Sequence, residues 1–424
     1  MLLQFNFKNF KSFRDDTTLD LTATKITEYG SHVIAIANEK VLPIAAIFGA
    51  NASGKSNVQE AFRYMHIYVE DSFEFGGEED NKRNNRRFFK PTPYLFNQES
   101  RQAESSFEVY FIDPHATNDK QYNYGFAIDQ EGVTEEWLNY TTKSARGEFK
   151  RIFYRHREEK ILDMPGISPK HQENIRIALQ KEVLVVSLGA KLKNPKLKAV
   201  RDWFLKNDIV DFGEPAENYF LSRQLPDDFV DDPEVRKDVV KYFSAFDSSI
   251  IDFEVEIIED DDRNASKVRI SAVHKMNDSD DIAMIPLQYE SAGTLKMFAL
   301  YPPLKDVLQS GGVLFVDELN ARLHPLLVRA FIIEFLNPES NPKHAQLVFT
   351  SHDTWQLNNN MLRRDEVWFV EKETDGASSL YSLAEFTDED GMKIRKDENY
   401  EKNYLLGKYG AIPMMDLFDV YKGE

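Results

Sequence analysis

No stretch of this chain constrains it more than Gly49-Ala50-Asn51-Ala52-Ser53-Gly54-Lys55-Ser56. It matches G-x-x-x-x-G-K-[ST], a loop whose backbone N–H groups, with the start of the following helix, face phosphate oxygens. The flanks fit the pattern. Leu42-Pro43-Ile44-Ala45-Ala46-Ile47-Phe48 is a short apolar run of the kind that forms a buried parallel strand. Behind the loop, Val58, Ala61, Phe62, Met65 and Val69 recur at helical spacing. Strand, glycine loop and helix in this order predict an α/β fold with an anion site at the loop and the start of the helix. Gly49 and Gly54 let the backbone turn and approach, Lys55 supplies a mobile positive charge, and the Ser56 hydroxyl suits Mg²⁺. Asn51, Ser53 and Asn57 complete the expected nucleotide-contacting set.

A second apolar strand, Gly312-Val313-Leu314-Phe315-Val316, ends in Asp317-Glu318. Phosphate chemistry beside such a loop needs one acid to hold the metal and gains from a second that positions or deprotonates water. Asp317 takes the metal role and Glu318 the catalytic one. A third strand, Gln346-Leu347-Val348-Phe349-Thr350, runs into Ser351-His352-Asp353, placing His352 on the edge where open α/β sheets bind ligands. Ahead of the Asp-Glu strand, Ser291-Ala292-Gly293-Thr294 opens a helical pattern through Leu295, Phe298, Ala299 and Leu300. Ser291 and Gly293 there offer a further helix start to an anion.

The 424 residues carry 52 Lys+Arg against 71 Asp+Glu, a formal charge of −19, which argues against sequence-independent nucleic-acid binding over the whole surface. Cysteine is absent, which excludes disulfide scaffolds and thiol chemistry. The N-terminus alternates like a strand instead of resembling a signal peptide, and no apolar run nears the ~20 residues that span a bilayer. A cytoplasmic protein is expected. Residues 1–150 read as a β-rich lobe carrying the loop, 151–250 as a helical insert or lid, and 251–424 as the part holding Ser291, Asp317 and His352. Residues 71–104 read as an exposed excursion, and Phe253–Ile257 with Val268–Val273 as a hairpin. The basic clusters Lys82–Lys90 and Lys191–Arg201 read as solvated faces, with DNA contact as the alternative. The acidic loops Asp227–Asp232 and Glu259–Asp262 lack Ca²⁺-loop spacing. His324-Pro325 reads as a helix entry, and Gln98 as a loop residue with a γ-phosphate contact as its alternative.

Phosphate loop, Ser-x-Gly helix start, Asp-Glu strand and strand-terminal His, in that order, resemble the ABC-type ATPase heads of the SMC and RecF class. More narrowly, the chain is similar to family 15 of the bacterial AAA-domain ATPases, the RloA-like and abortive-infection group related to OLD nucleases. The resembling pieces are Asn9-Phe10-Lys11-Ser12-Phe13, Gly49–Asn57, Ser291–Thr294, Asp317-Glu318-Leu319 with Leu323-His324-Pro325, Ser351-His352-Asp353 and Tyr404–Pro413. The resemblance implies a P-loop ABC-type ATPase head with a β-rich N-terminal lobe, an inserted helical subdomain and no long coiled coil. It further implies ATP and Mg²⁺ as ligands and a head-to-tail dimer in which Lys55 and Ser56 face Ser291 and Gly293 of a second copy. In this reading Glu318 is the base and His352 the γ-phosphate sensor. Relatives act as switches in anti-phage systems, controlling a separate effector such as a Toprim-type nuclease in answer to a phage-derived trigger. Too few residues follow His352 for that nuclease to be in the same chain. Asn320-Ala321-Arg322 departs from the pattern, since relatives carry an Asp and a small hydroxyl residue after the Asp-Glu pair. The alternative is an SMC/RecF-like repair head that grips duplex DNA.

Overall fold

The computed structural model describes all residues except 76–88, 114–119, 146, 215–224, 227, 245–247, 261–264, 277, 278, 280, 388–390, 392 and 414–424. In chain order the strands are β1 (Leu2–Lys8), β2 (Thr17–Asp20), β3 (Ile34–Ile36), β4 (Glu39–Val41), β5 (Ile44–Phe48), β6 (Ser105–Ile112), β7 (Gln121–Ile128), β8 (Val133–Thr141), β9 (Lys150–His156) and β10 (Ile161–Asp163). There follow β11 (Asp208–Asp211), β12 (Ile250–Asp260), β13 (Ala265–Lys275), β14 (Ile282–Pro286), β15 (Val313–Asp317), β16 (Gln346–Thr350), β17 (Val367–Lys372) and β18 (Ser378–Ser382). A seven-stranded sheet has the order β10-β9-β8-β7-β6-β1-β2, and a six-stranded one the order β11-β15-β16-β5-β17-β18.

In the second sheet β15, β16, β5 and β17 run parallel, and every residue of β5, β15 and β16 is buried. That explains their unbroken apolar sequences: parallel strands covered on both faces have no polar alternation. Helix α1 (Lys55–Asp71) lies between the two sheets. The Phe62 ring meets Phe5 of the first sheet edge-on at 5.3 Å and stacks on Phe315 of the second at 4.2 Å. All five apolar residues that signalled this helix are buried, so its apolar stripe serves two faces at once.

Contacts divide the chain into two compact units. One joins Met1–Val210, Val307–Glu318 and Ile332–Glu424; the other joins Asp211–Asp306 and Leu319–Phe331. This differs from the partition at 150 and 250. Strands β9 and β10 extend the first sheet, and the buried Leu197, Val200, Trp203 and Phe204 of the Pro195–Phe204 helix belong to the first unit's core. The second unit has its own core, in which Phe229, Phe243 and Phe253 surround Phe298. Its sheet β12-β13-β14 contains the expected hairpin, with Phe253 opposite Ala272.

One buried acid in the first unit gives a pH-dependent expectation. Leu184 cannot cap the Val185–Lys191 helix, and Glu136 from β8 accepts its first two N–H groups instead, from Val185 at 2.7 Å and Val186 at 3.1 Å. Burial raises this carboxyl from 4.5 to about 7, against the opposing pull of Arg155 and those N–H groups. A carboxyl raised on folding stabilises the fold below its unfolded pKa, and that stabilisation is lost as pH rises through the folded one. From pH 4.5 to 7 the wild type should therefore lose about 3 kcal/mol of unfolding free energy relative to Glu136→Gln. Urea titrations of both proteins across that window check it; parallel pH profiles would contradict it.

Candidate nucleotide site

The parallel register brings three strand ends to one sheet edge. Val316 is opposite Phe349 and Thr350 opposite Ile47, so the loop after β5, the Asp317-Glu318 pair and the β16 terminus lie side by side, with β16 in the middle. The loop reaches this edge through conformations that side chains resist. Gly54 has φ +111° and Gly49 φ +155°, while Ala52 takes φ +61°. A Cβ on Gly49 would lie 2.4 Å from the Val370 carbonyl oxygen.

Lys55 folds over the loop, its Nζ donating to the Gly49 and Ala50 carbonyls at 2.9 Å each. Burial holds its ammonium below the ordinary lysine range, while Asp317 and Glu318 pull it upward. Beside it runs a chain of hydroxyls and carboxylates. Ser56 Oγ donates to Asp317 Oδ2 at 2.8 Å, Thr350 Oγ1 donates to Asp317 Oδ1 at 2.5 Å, and the Glu318 N–H donates to Thr350 Oγ1 at 2.9 Å. Glu318 itself has φ +50°, a left-handed backbone that costs a non-glycine residue about 1–3 kcal/mol. Such strain persists where surroundings enforce it, here through Thr350.

Thr350 was not among the site residues expected from sequence. A hydroxyl as the last residue of the strand before Ser-His was the available signal. Thr350→Val keeps the shape but removes the hydroxyl that bridges Asp317 and Glu318. On the ATPase reading that the resemblance implies, turnover in Thr350→Val should fall about ten- to hundredfold, with recovery in Thr350→Ser. Phosphate-release rates of the three proteins check this; equal rates would contradict it.

The loop also has a floor that the sequence reading did not assign. The tight turn of Phe10 and Phe13 places Ser12, whose Oγ accepts from Asn57 Nδ2 at 2.7 Å and meets Ser378 Oγ at 2.8 Å. Ser378 Oγ also reaches the Ser53 carbonyl at 2.5 Å. Asn57 thus has its amide on Ser12. The Ser53 hydroxyl is buried with no hydrogen-bond partner among the described residues. An orphaned hydroxyl, a glycine cradle that any Cβ would fill and a hydroxyl–carboxylate pair from Ser56 and Asp317 together suit a phosphate chain with Mg²⁺.

His352 follows β16 and is exposed, with Asp353 capping the next turn through the Trp355 N–H at 3.0 Å. Asn51 is exposed on the loop. Ser291 and Gly293 belong to the other compact unit. Ser291 Oγ accepts the Thr294 N–H at 3.1 Å, an N-cap for the Ala292–Ser310 helix. Pro325 opens the Pro325–Leu336 helix as expected, with His324 Nδ1 facing the Leu326 N–H at 3.2 Å. Gln98 is exposed at the start of a short helix capped by Asn97. Of the Lys82–Lys90 cluster, residues 82–88 lie outside the described residues. The Lys191–Arg201 stretch is engaged by its own chain: Lys191 and Arg201 sit over Phe73, Lys196 donates to the Gly166 carbonyl, and Lys198 pairs with Asp202. No helix of the described residues is long and apolar enough to cross a membrane.

A family model described as "AAA domain, putative AbiEii toxin, Type IV TA system" (AAA_21) matches residues 44–354. It is this model that the match names, where the narrower resemblance pointed to family 15. Similar solved structures include an Smc head bound to the C-winged helix domain of ScpA, 15% identical, covering 93% of this chain and 99% of that one with a TM-score of 0.43. An Smc head with an extended coiled coil bound to the C-terminal domain of ScpA, from Pyrococcus furiosus, is 14% identical over 99% of both chains with a TM-score of 0.38. An Smc head with a coiled coil and joint from Pyrococcus yayanosii is 12% identical over 90% of this chain and 97% of that one, with a TM-score of 0.42. No curated protein matches the sequence.

Proposed function

Because this chain belongs to the AAA_21 family of AAA domains, we propose that it binds and hydrolyses ATP and uses that cycle as the switch of an anti-phage system with a separate effector. The observation that carries the catalytic part is the linked set Ser56–Asp317–Thr350–Glu318 beside Lys55 on one sheet edge. The loop N–H groups and Lys55 would hold the phosphates. Ser56 and Asp317 would hold Mg²⁺, which supplies positive charge against the phosphate oxygens. Glu318 accepts the proton of the attacking water, and His352 at the neighbouring strand end reads the terminal phosphate. Ser291 and Gly293 serve the site of a second copy, so turnover belongs to a head-to-tail pair.

The switch role rests on the resemblance to the abortive-infection ATPase group; the matching family model adds only its own description, an AAA domain of a type IV toxin–antitoxin system. An effector on another polypeptide, a nuclease of Toprim type among the candidates, would respond to ATP-dependent assembly. The DNA-gripping alternative rests on the basic stretch, whose Lys191, Lys193, Lys196 and Lys198 are exposed, and salt-dependent affinity for duplex DNA would favour it. Plaque assays test the reading: cells carrying the gene with its neighbours should resist phage, and Glu318→Gln should remove the resistance. Equal plaquing with and without the intact gene would overturn the defence role.

A further inference from the structure

Lys296 is a charged side chain in a buried position. It lies on the helix that Ser291 caps and is only 3% exposed. Its Nζ donates to the Leu319 carbonyl at 2.8 Å and the Ala321 carbonyl at 2.9 Å, and stands 4.0 Å from the centre of the Phe212 ring. Taking an ammonium out of water costs several kcal/mol, so such a group is stable only when acceptors and an aromatic face replace its hydration. Both acceptors belong to one loop, the three residues that directly follow Glu318. A second observation ties the same loop to the same helix: a Cβ on Gly293 would lie 3.2 Å from the Arg322 carbonyl oxygen. Helix start and loop are thus joined twice within one compact unit.

We propose that Lys296 is a positioning residue that latches the loop after Glu318 to the Ser291 helix start, so that nucleotide contact at Ser291 and the setting of Glu318 change together. This deepens the ATPase reading and rests on it. Two carbonyls held by one charge are a stiff connection, because the ammonium is buried and has donors for both. A point charge on a flexible stem also explains lysine here: both carbonyls are reached with no need for planar bidentate geometry.

The test is a graded series in the full chain: Lys296→Met removes both donors, Lys296→Gln keeps a donor for one carbonyl, and Lys296→Arg keeps the charge. Turnover in Lys296→Met should drop about thirtyfold while MgATP affinity stays within about threefold, with Gln intermediate and Arg nearest wild type. Amide hydrogen exchange over residues 319–324 should speed up at least about tenfold in Met, less in Gln and least in Arg. Should the Met variant not fold, the Gln and Arg proteins decide between the same outcomes. Turnover and exchange unchanged across the series would overturn the latch. A wild type without any turnover would sink the ATPase reading instead, and the exchange series would still decide whether the latch exists.

Discussion

Glu318→Gln is expected to lower ATP turnover about a thousandfold while leaving MgATP affinity within about threefold. The amide keeps the size of the side chain and the backbone bond from the Glu318 N–H to Thr350, but it cannot accept a proton from water. Removal of a positioned general base typically costs between about a hundred- and ten-thousandfold. The middle of that range is expected because Glu318 is held in a strained, left-handed conformation, with its N–H on the same Thr350 hydroxyl that bonds Asp317. Affinity should persist because the loop, Lys55 and the Ser56–Asp317 pair are untouched. Steady-state phosphate release together with equilibrium nucleotide binding separates the two quantities. A variant that turns over at the wild-type rate would remove Glu318 from the mechanism.

Gly54→Ala is expected to lose MgATP affinity by about a hundredfold or more and to destabilise the first unit by about 2–4 kcal/mol. Two costs coincide at this position. The backbone has φ +111°, which an L side chain resists, and the new Cβ would meet Ser378 Oγ at 2.5 Å and Ser12 Oγ at 2.6 Å. Neither hydroxyl is a loose end. Ser378 Oγ contacts the Ser53 carbonyl and Ser12 Oγ accepts from Asn57, so the loop must shift rather than the floor beneath it. Gly30→Ala is the control, since a Cβ there meets nothing within 4 Å. Binding and urea unfolding of both variants check the prediction; normal binding by Gly54→Ala would show that the loop tolerates another path.

Much of the site was legible because it is encoded locally. A glycine loop between an apolar run and a helical stripe needs only neighbours in sequence, and the Asp317-Glu318 pair ends a strand whose burial is written in its own composition. The parts that escaped depend on distant pairing. Ser12 and Ser378 meet only because β17 pairs with β5 and β18 returns alongside it, bringing the Ser378 N–H to the Ser12 carbonyl at 2.8 Å. Thr350 acquires a role only when β16 falls between β5 and β15. The unit boundary near Val210 was illegible for the same reason: helical periodicity on either side of it is similar, and packing alone assigns Trp203 to one core and Phe243 to the other. Pro302 and Pro303 likewise sit within the Ala292–Ser310 helix, where local propensity alone argues for an interruption.

The most direct measurement is equilibrium binding of ATP, with and without Mg²⁺, to the wild type and to Lys55→Ala. Lys55 is the charge folded over the loop, within the field of Asp317 and Glu318. The account predicts saturable, magnesium-dependent binding by the wild type and an affinity at least about thirtyfold weaker in Lys55→Ala. Indistinguishable binding curves for the two proteins, or no dependence on magnesium, would contradict it.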